Sequence, residues 1–533
     1  MTVSLKCHTL APNFAKSETL YDKYKTNVDL KVRDLDNKSH AAWRTPSFSR
    51  VFRTLLYVVF VTFLVTACSE PSFEGVDLSP PSSATTKTSP SVRAEDSPPG
   101  VEEASLSAEP DTTSPPAAAV DSIPETSTGN PLDLGRTFEE GVFYLSPDGS
   151  DSNDGTLPSQ AFGTFNFAAN RLLPGDELLV LEGTYEELFR SDTAVFITAK
   201  GTAEEWIRIT AFPEHDVVVL GPERNAFKLE GAEYVELSNM ELVGTGDDLL
   251  GAGVHIEDPS HHIRIRNMVV HGFPAGGINV TGSSHIEIAY NEVFGNANFH
   301  VTQHSGISLW RPANLGFDDD ESGYSNYVIG NTVYDNRNLV ESKDGVFTDG
   351  NCIILDQGNL TGYNGRTFIG NNICFGNGGR GVNIHESAHA DVVNNTIFHN
   401  LETEQLIDDN AELMAFDASD ARFVNNLVIT APGRRAARSS RSDDIVFVDN
   451  LFVSDDPGVG GTNVVVASEL VNTVLAAPSI DPTTADFSLV TASPAVDTGR
   501  DDFIGILPLD ANQTPRLVGV GVDMGALEFA VAE

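Results

Sequence analysis

Positive charge is what this chain has least of. Lysine and arginine number 33 against 76 aspartates and glutamates, a net charge of −43 over 533 residues. A nucleic-acid partner needs a clustered basic surface, so that class of function is excluded. An acidic glycan is not, because a bound cation or a local Lys/Arg cluster reverses the field over a small area. Solubility in saline surroundings accounts for the excess equally well. Cysteine is scarce too: of four, only Cys352 and Cys374 fall in the part that reads as folded. Aligned on the repeat described below they occupy different walls, so the expectation is two buried, inert thiols and no disulfide. Of long apolar runs there is one, Val51 to Cys68, too short to span a bilayer comfortably.

The first quarter of the chain does not read as core. Residues 1–50 are polar, fairly basic and without periodicity. Residues 51–68 place a cation, an apolar stretch and small residues before a cysteine, the order of a secretion signal. Val65-Thr66-Ala67-Cys68 resembles the lipobox of bacterial lipoproteins, which implies lipidation of Cys68. The alternative is a single membrane anchor with residues 1–50 held inside. A translation start near Val51 would leave a signal of ordinary length. Residues 69–137, rich in Ser, Pro, Thr and Ala, cannot bury enough surface to fold and read as a tether. The expectation is a monomeric outer-membrane lipoprotein of the bacterial cell envelope, facing the surface or the periplasm, with residues 138–529 as its head.

The head repeats one phrase: an Asn, an apolar-rich run, often a second Asn. It begins at 239, 267, 291, 331, 372, 395, 426 and 450, with intervals of 28, 24, 40, 41, 23, 31 and 24 residues. A period near 24 is one supersecondary unit stacked on copies of itself. The runs are short and β-branched, hence strands. Asn suits a bend because it tolerates left-handed geometry, and one Asn per coil stacks as a hydrogen-bonded ladder. The pattern predicts an all-β fold, a right-handed single-stranded parallel β-helix.

The head opens with Val142-Phe-Tyr-Leu-Ser-Pro-Asp-Gly-Ser-Asp-Ser-Asn-Asp-Gly-Thr156 and Leu173-Pro-Gly-Asp, and closes with Ser493-Pro-Ala-Val-Asp-Thr-Gly499 and Val522-Asp-Met-Gly. This resembles the secreted β-helix proteins of the pectate-lyase-like superfamily, over roughly residues 141–529. The resemblance implies that fold and activity on polysaccharides, in polysaccharide lyases and some glycoside hydrolases. In the opening cap, Asp148, Asp151, Asn153 and Asp154 offer either a structural Ca²⁺ site or plain turn chemistry.

A second landmark is a strand beginning at Gly253, Gly277, Gly306, Cys352 and Gly381. Alternation along these strands points two columns of side chains outward. One is His255, Asn279, Ser308, Ile354 and Asn383; the other is Glu257, Thr281, Trp310, Asp356 and His385. With rungs about 4.8 Å apart, Trp310 and His385 flank Asp356 across roughly 10 Å, the length of a disaccharide. The extra residues all fall in two adjacent coils, and insertions on neighbouring coils commonly build a binding face. A Trp packs on the apolar face of a sugar while polar groups fix its hydroxyls. Substrate-binding candidates are therefore Trp310, Arg311, His304, Asn351, Arg380 and Asn383. An incidental Trp on solvated surface is the plainer alternative.

Two chemistries fit. A lyase acting on a uronic-acid polymer neutralises a carboxylate, removes the C5 proton and expels the O4 substituent. In the calcium-dependent lyases this chain resembles, an Asp cluster and a lysine do so. Here Asp318, Asp319, Asp320 and Glu321 offer Ca²⁺ ligands, Lys343 is the loop lysine, and His385 or His304 is the alternative base. A hydrolase needs two carboxylates, supplied by Asp356 with Asp349, Glu386 or the acidic run. β-Elimination on an acidic polysaccharide stands slightly ahead, with catalytic candidates Asp356, His385, Lys343 and Asp349. A glycan-binding or adhesive spine without turnover is the third reading.

Overall fold

The computed structural model describes residues 141–529, apart from 188, 190, 191, 222–223, 245–250, 316–322 and 407–409. Three long sheets form the walls of a right-handed parallel β-helix. They hold eleven, nine and eleven strands, and each strand pairs in parallel with its counterpart one coil away. One coil therefore spends one strand on each wall, and inward side chains from all three walls fill a continuous core. Val254, Ile256, Ile278, Ile307, Ile353, Leu355, Val382 and Ile384 are fully buried there.

The Asn phrase does two jobs at adjacent positions. Asn239, Asn267, Asn371, Asn394 and Asn425 take positive φ at the bend. The next residue along starts the ladder from Asn291 onward: Asn291, Asn331, Asn372, Asn395, Asn426, Asn450 and Asn463. Each of the first six donates its backbone N–H and its side-chain amide to the side-chain oxygen of the next, at 2.8–3.1 Å. Asn239 and Asn267 thus sit one residue out of phase with the later repeats, and Met268 occupies the ladder position above Asn291.

The closing Asn of the phrase forms a second ladder, Asn296, Asn336, Asn377 and Asn400. It ends on a carboxylate: Asn400 donates its backbone N–H to Glu412 Oε1 at 2.9 Å, while Oε2 of this fully buried residue has no partner. Burial pushes the Glu412 carboxyl up to about 8, against the opposing Asn400 hydrogen bonds. From its ordinary 4.5 up to about 8 the folded protein holds this proton more tightly than the unfolded chain, so stability falls as pH rises through that window. Glu412→Gln is expected to flatten that decline and to be about 2 kcal/mol more stable than the native protein at alkaline pH. Urea denaturation at mildly acidic and mildly alkaline pH checks it; an unchanged slope would remove Glu412 as the cause.

The cysteines depart from expectation. Cys352 and Cys374 form a disulfide, with Cα atoms 5.7 Å apart. They do lie on different walls, but those walls meet at this corner in every coil. A Cβ on Gly277 would lie 2.3 Å from Val293, on Gly306 2.6 Å from Val333, and on Gly381 2.5 Å from Ile397. The Cys pair occupies the same two positions, and a covalent bond replaces a contact that in those three coils demands glycine.

In the opening cap the acidic groups serve the turn. Asp151 accepts from the Gly163 and Thr164 N–H groups and the Thr164 hydroxyl, and Asp154 from the Thr156 N–H and hydroxyl. The closing segment returns along the outside of the stack. Phe487 packs on Phe375 and Phe398, and buried Arg516 donates to Glu528 at 2.7 Å.

Candidate functional site

The wall that carries the outward columns comprises the strands Val254–Glu257, Ile278–Thr281, Ile307–Trp310, Ile353–Asp356, Val382–His385, Leu413–Phe416 and Ala437–Ser440. Their register pairs Thr281 with Trp310, Trp310 with Asp356, Asp356 with His385, His385 with Phe416, and Phe416 with Ser440. Trp310, Asp356 and His385 therefore stand on consecutive rungs of one column, as the spacing implied. The companion column differs from expectation. Asn279, Ser308, Ile354 and Asn383 point outward yet are buried. Asn383 keeps a side-chain carbonyl oxygen with no hydrogen-bond partner.

At the centre His385 Nδ1 lies 2.8 Å from Asp356 Oδ1. Burial alone would lower the imidazole pKa. The Asp356 hydrogen bond and charge, with Glu386 and Asp349, outweigh it and hold His385 above its ordinary value. The ring lies parallel to Phe416 with centroids 5.3 Å apart, and the Arg441 guanidinium covers Phe416 at 4.2 Å. One rung the other way, Trp310 is 38% exposed, enough to offer ring surface to a ligand. Gln357 fixes it: Trp310 Nε1 and Arg311 Nε both donate to Gln357 Oε1, at 3.2 and 2.8 Å.

The inserted loop brings Asp349 to this centre. Burial raises its carboxyl above the ordinary range; Arg380 pulls it down and the Asp356 charge pushes it further up. Asn351 donates to Asp349 Oδ1 at 3.0 Å. Arg380 is committed to the scaffold, donating from Nη1 to Thr348 O at 2.6 Å and from Nε to Asn410 Oδ1 at 2.9 Å. Its backbone N–H and Nη1 also reach Asn351 Oδ1, at 2.9 and 3.3 Å. Arg380 and Asn351 are thus supports of the Asp349 loop.

Two further expected groups, Lys343 and His304, are engaged by neighbours in the loops. Lys343 is exposed and its charge bears on His300, not on the groups that shift Asp349 or His385. His304 is tied into a separate polar chain, with Nδ1 3.3 Å from the Asn279 amide and Nε2 2.9 Å from the Thr302 hydroxyl. Burial, then His300 and His255, press its pKa down to about 3, so it is a neutral, bonded imidazole. Asp318, Asp319, Asp320 and Glu321 lie outside the described residues, as does Cys68. Among the described residues no group of three or more His, Cys, Asp or Glu is placed to hold a metal.

The chain matches the family model described as right handed beta helix region over residues 215–397. Among solved structures it is similar to pectate lyase Pel9A, at 17% identity and a TM-score of 0.45, over 74% of this chain and 98% of that one. An alginate lyase from Paenibacillus sp. str. FPU-7 aligns at 15% identity and a TM-score of 0.37, over 61% and 99% of the two chains. For a GH136 lacto-N-biosidase from Eubacterium ramulus the values are 14%, 0.34, 58% and 56%. A curated relative, the uncharacterized protein YwoF of Bacillus subtilis (strain 168), is 24% identical over 153 residues. That stretch spans 26% of this chain and 31% of the relative.

Gln357 and Phe416 escaped the sequence reading, each for its own reason. The Leu413–Phe416 strand has Glu412 where earlier strands have Gly or Cys, so its landmark is missing. Gln357 follows the strand end, outside the alternation that marks the wall.

Proposed function

We propose that this protein hydrolyses a glycosidic bond in a polysaccharide held along the outer wall of the helix. The observation that carries this is a pair of carboxylates in contrasting surroundings, Asp349 pushed up by burial beside Asp356 bonded to His385. Such a split assigns acid and base roles. Asp349, its carboxyl held above the ordinary range by burial, is the group that gives a proton to the departing glycosidic oxygen. Asp356 acts on the opposite face of the sugar, attacking C1 or drawing a proton from water, with His385 fixing its orientation. A carboxyl separation of about 5–5.5 Å would give retention and about 6.5–9.5 Å inversion. Trp310 supplies the stacking surface.

β-Elimination is the second reading, favoured by the His385 ring: with Nδ1 engaged by Asp356, Nε2 remains for the C5 proton. It ranks lower because it leaves the buried Asp349 carboxyl without a role, and Arg380 is spent on the loop. We further propose that it works outside the cell, anchored by a lipid at Cys68 with residues 69–137 as tether, a reading supported by the head's disulfide between Cys352 and Cys374, which suits an oxidising compartment.

Incubation with neutral and acidic polysaccharides tests the reaction. New reducing ends without absorbance from unsaturated uronate are expected. Appearance of that absorbance would move the assignment to elimination, and no product from a broad panel would leave only binding. Repeating the assay with chelator tests Ca²⁺ at residues 318–321.

A further inference from the structure

We propose that Phe416 is a positioning residue for cleavage: its ring holds the His385 imidazole against Asp356 and offers no stacking surface to a sugar. This rests on the hydrolytic reading of the wall. By register Phe416 mirrors Trp310, one aromatic on each side of the Asp356–His385 pair. Their surroundings differ. Trp310 presents ring surface to solvent, whereas Phe416 is half-buried and is covered from both sides of its own strand. From the Val382–His385 side comes the imidazole, parallel to the ring within 1° and 5.3 Å away between centroids. From the Ala437–Ser440 side comes the Arg441 guanidinium, 4.2 Å from the ring centroid. Asp417 locks Arg441 there, accepting from Nε at 2.8 Å and from Nη2 as well. That pair is neutral and fully engaged, so it acts as a backstop to the ring and not as a site for an anion.

The backbone leaves the side chains little room. Pairing continues through the corner: the Gln357 N–H donates to His385 O at 3.0 Å, Glu386 N–H to Phe416 O at 2.8 Å and Asp417 N–H to Ser440 O at 3.1 Å. The rungs are therefore fixed, and what remains free in His385 is rotation of its ring. Asp356 is bonded through Nδ1, and a half-turn would put a ring carbon there and break the bond. Phe416 closes one face of the space that turn sweeps. A positively charged imidazole over an aromatic face is also favoured. Burial opposes that charge, and Asp356, Glu386 and Asp349 support it. Asp417 faces the ring too, its charge offset by Arg441. Phe416 works in the same direction as the carboxylates without adding charge to the groove.

The full chain with isotopically labelled histidine tests this by NMR of the ring nitrogens, the His385 signals being those lost in His385→Gln. In Phe416→Leu the His385 titration midpoint should fall by about half a pH unit, and its neutral form should become a mixture of both tautomers. On a glycan that the native protein cleaves, kcat should drop roughly tenfold to a hundredfold with KM within about twofold of native. Phe416→Met, a second non-aromatic replacement, should match leucine, and Phe416→Tyr, which keeps the ring face, should restore both readouts. A midpoint and tautomer unchanged in both non-aromatic variants, a loss that falls on KM alone, or no rescue by tyrosine would each overturn the inference. Cleavage by a native protein whose His385 is indifferent to Phe416 would sink this inference and leave the hydrolytic reading standing. The shifted titration in a protein that cleaves no glycan would sink hydrolysis and leave Phe416 as the holder of His385.

Discussion

Asp356→Asn is expected to lower kcat by at least a thousandfold on whichever glycan the native protein cleaves, with the unfolding midpoint within a degree or two of native. The side chain is 20% exposed and its one hydrogen bond within the wall is to His385, so an isosteric amide leaves packing intact. What it removes is the charge that faces the reacting carbon or its water, and losses of about 10³–10⁴ follow when a group of that kind goes. Asp349→Asn should lose a similar factor by a different route, since an amide cannot release a proton to the leaving oxygen. The two are separable with a substrate whose leaving group needs no protonation, such as an aryl glycoside. That substrate should recover most of the rate in Asp349→Asn and little in Asp356→Asn. Comparable rates for Asp356→Asn and the native protein would take Asp356 out of the site.

Asn331→Ala is expected to cost about 4 kcal/mol of stability. Asn331 is fully buried, and its Oδ1 accepts from both the backbone and the side chain of Asn291. Its own amide donates to Ile288 O and Asn372 Oδ1 at 2.9 Å. Alanine takes the partner from two donors and from the Ile288 carbonyl in a dry interior, while Asn372 Oδ1 keeps the Asn331 backbone N–H; each group left unsatisfied costs about 1–3 kcal/mol, partly relieved by relaxation. Asn239→Gly provides the contrast. Asn239 sits at the exposed bend with φ 62°, a geometry glycine accepts, and its side chain makes a single bond to Thr210. It should cost less than about 1 kcal/mol. Equilibrium denaturation of both variants decides: equal costs would mean that the ladder adds nothing beyond bend geometry.

Much of this architecture was legible in the chain because coil-to-coil pairing is periodic. Gly253, Gly277, Gly306, Cys352 and Gly381 marked the same corner in five coils, and alternation from that corner placed Trp310, Asp356 and His385 in one column. What escaped was everything that breaks the period. Glu412 at the Gly position hid the next rung and with it Phe416. Cys352 at that same position hid a disulfide, since proximity of two walls is a fact of cross-section and not of spacing. Lys343 and Asp349 sit in one loop and looked equally eligible for chemistry. Only the fold of that loop sends Asp349 to the dyad and Lys343 toward His300.

The division has a physical basis. Register along the stack is set by hydrogen bonds and side-chain columns between neighbouring rungs, so residue spacing determined the helix, its walls and the order of groups along them. Loop paths, desolvation and the meeting of side chains from different corners depend on contacts that no spacing encodes. The tertiary structure alone decided that Asp349 loses its water near Asp356, that Arg380 is spent holding its loop, and that Phe416 stacks on His385.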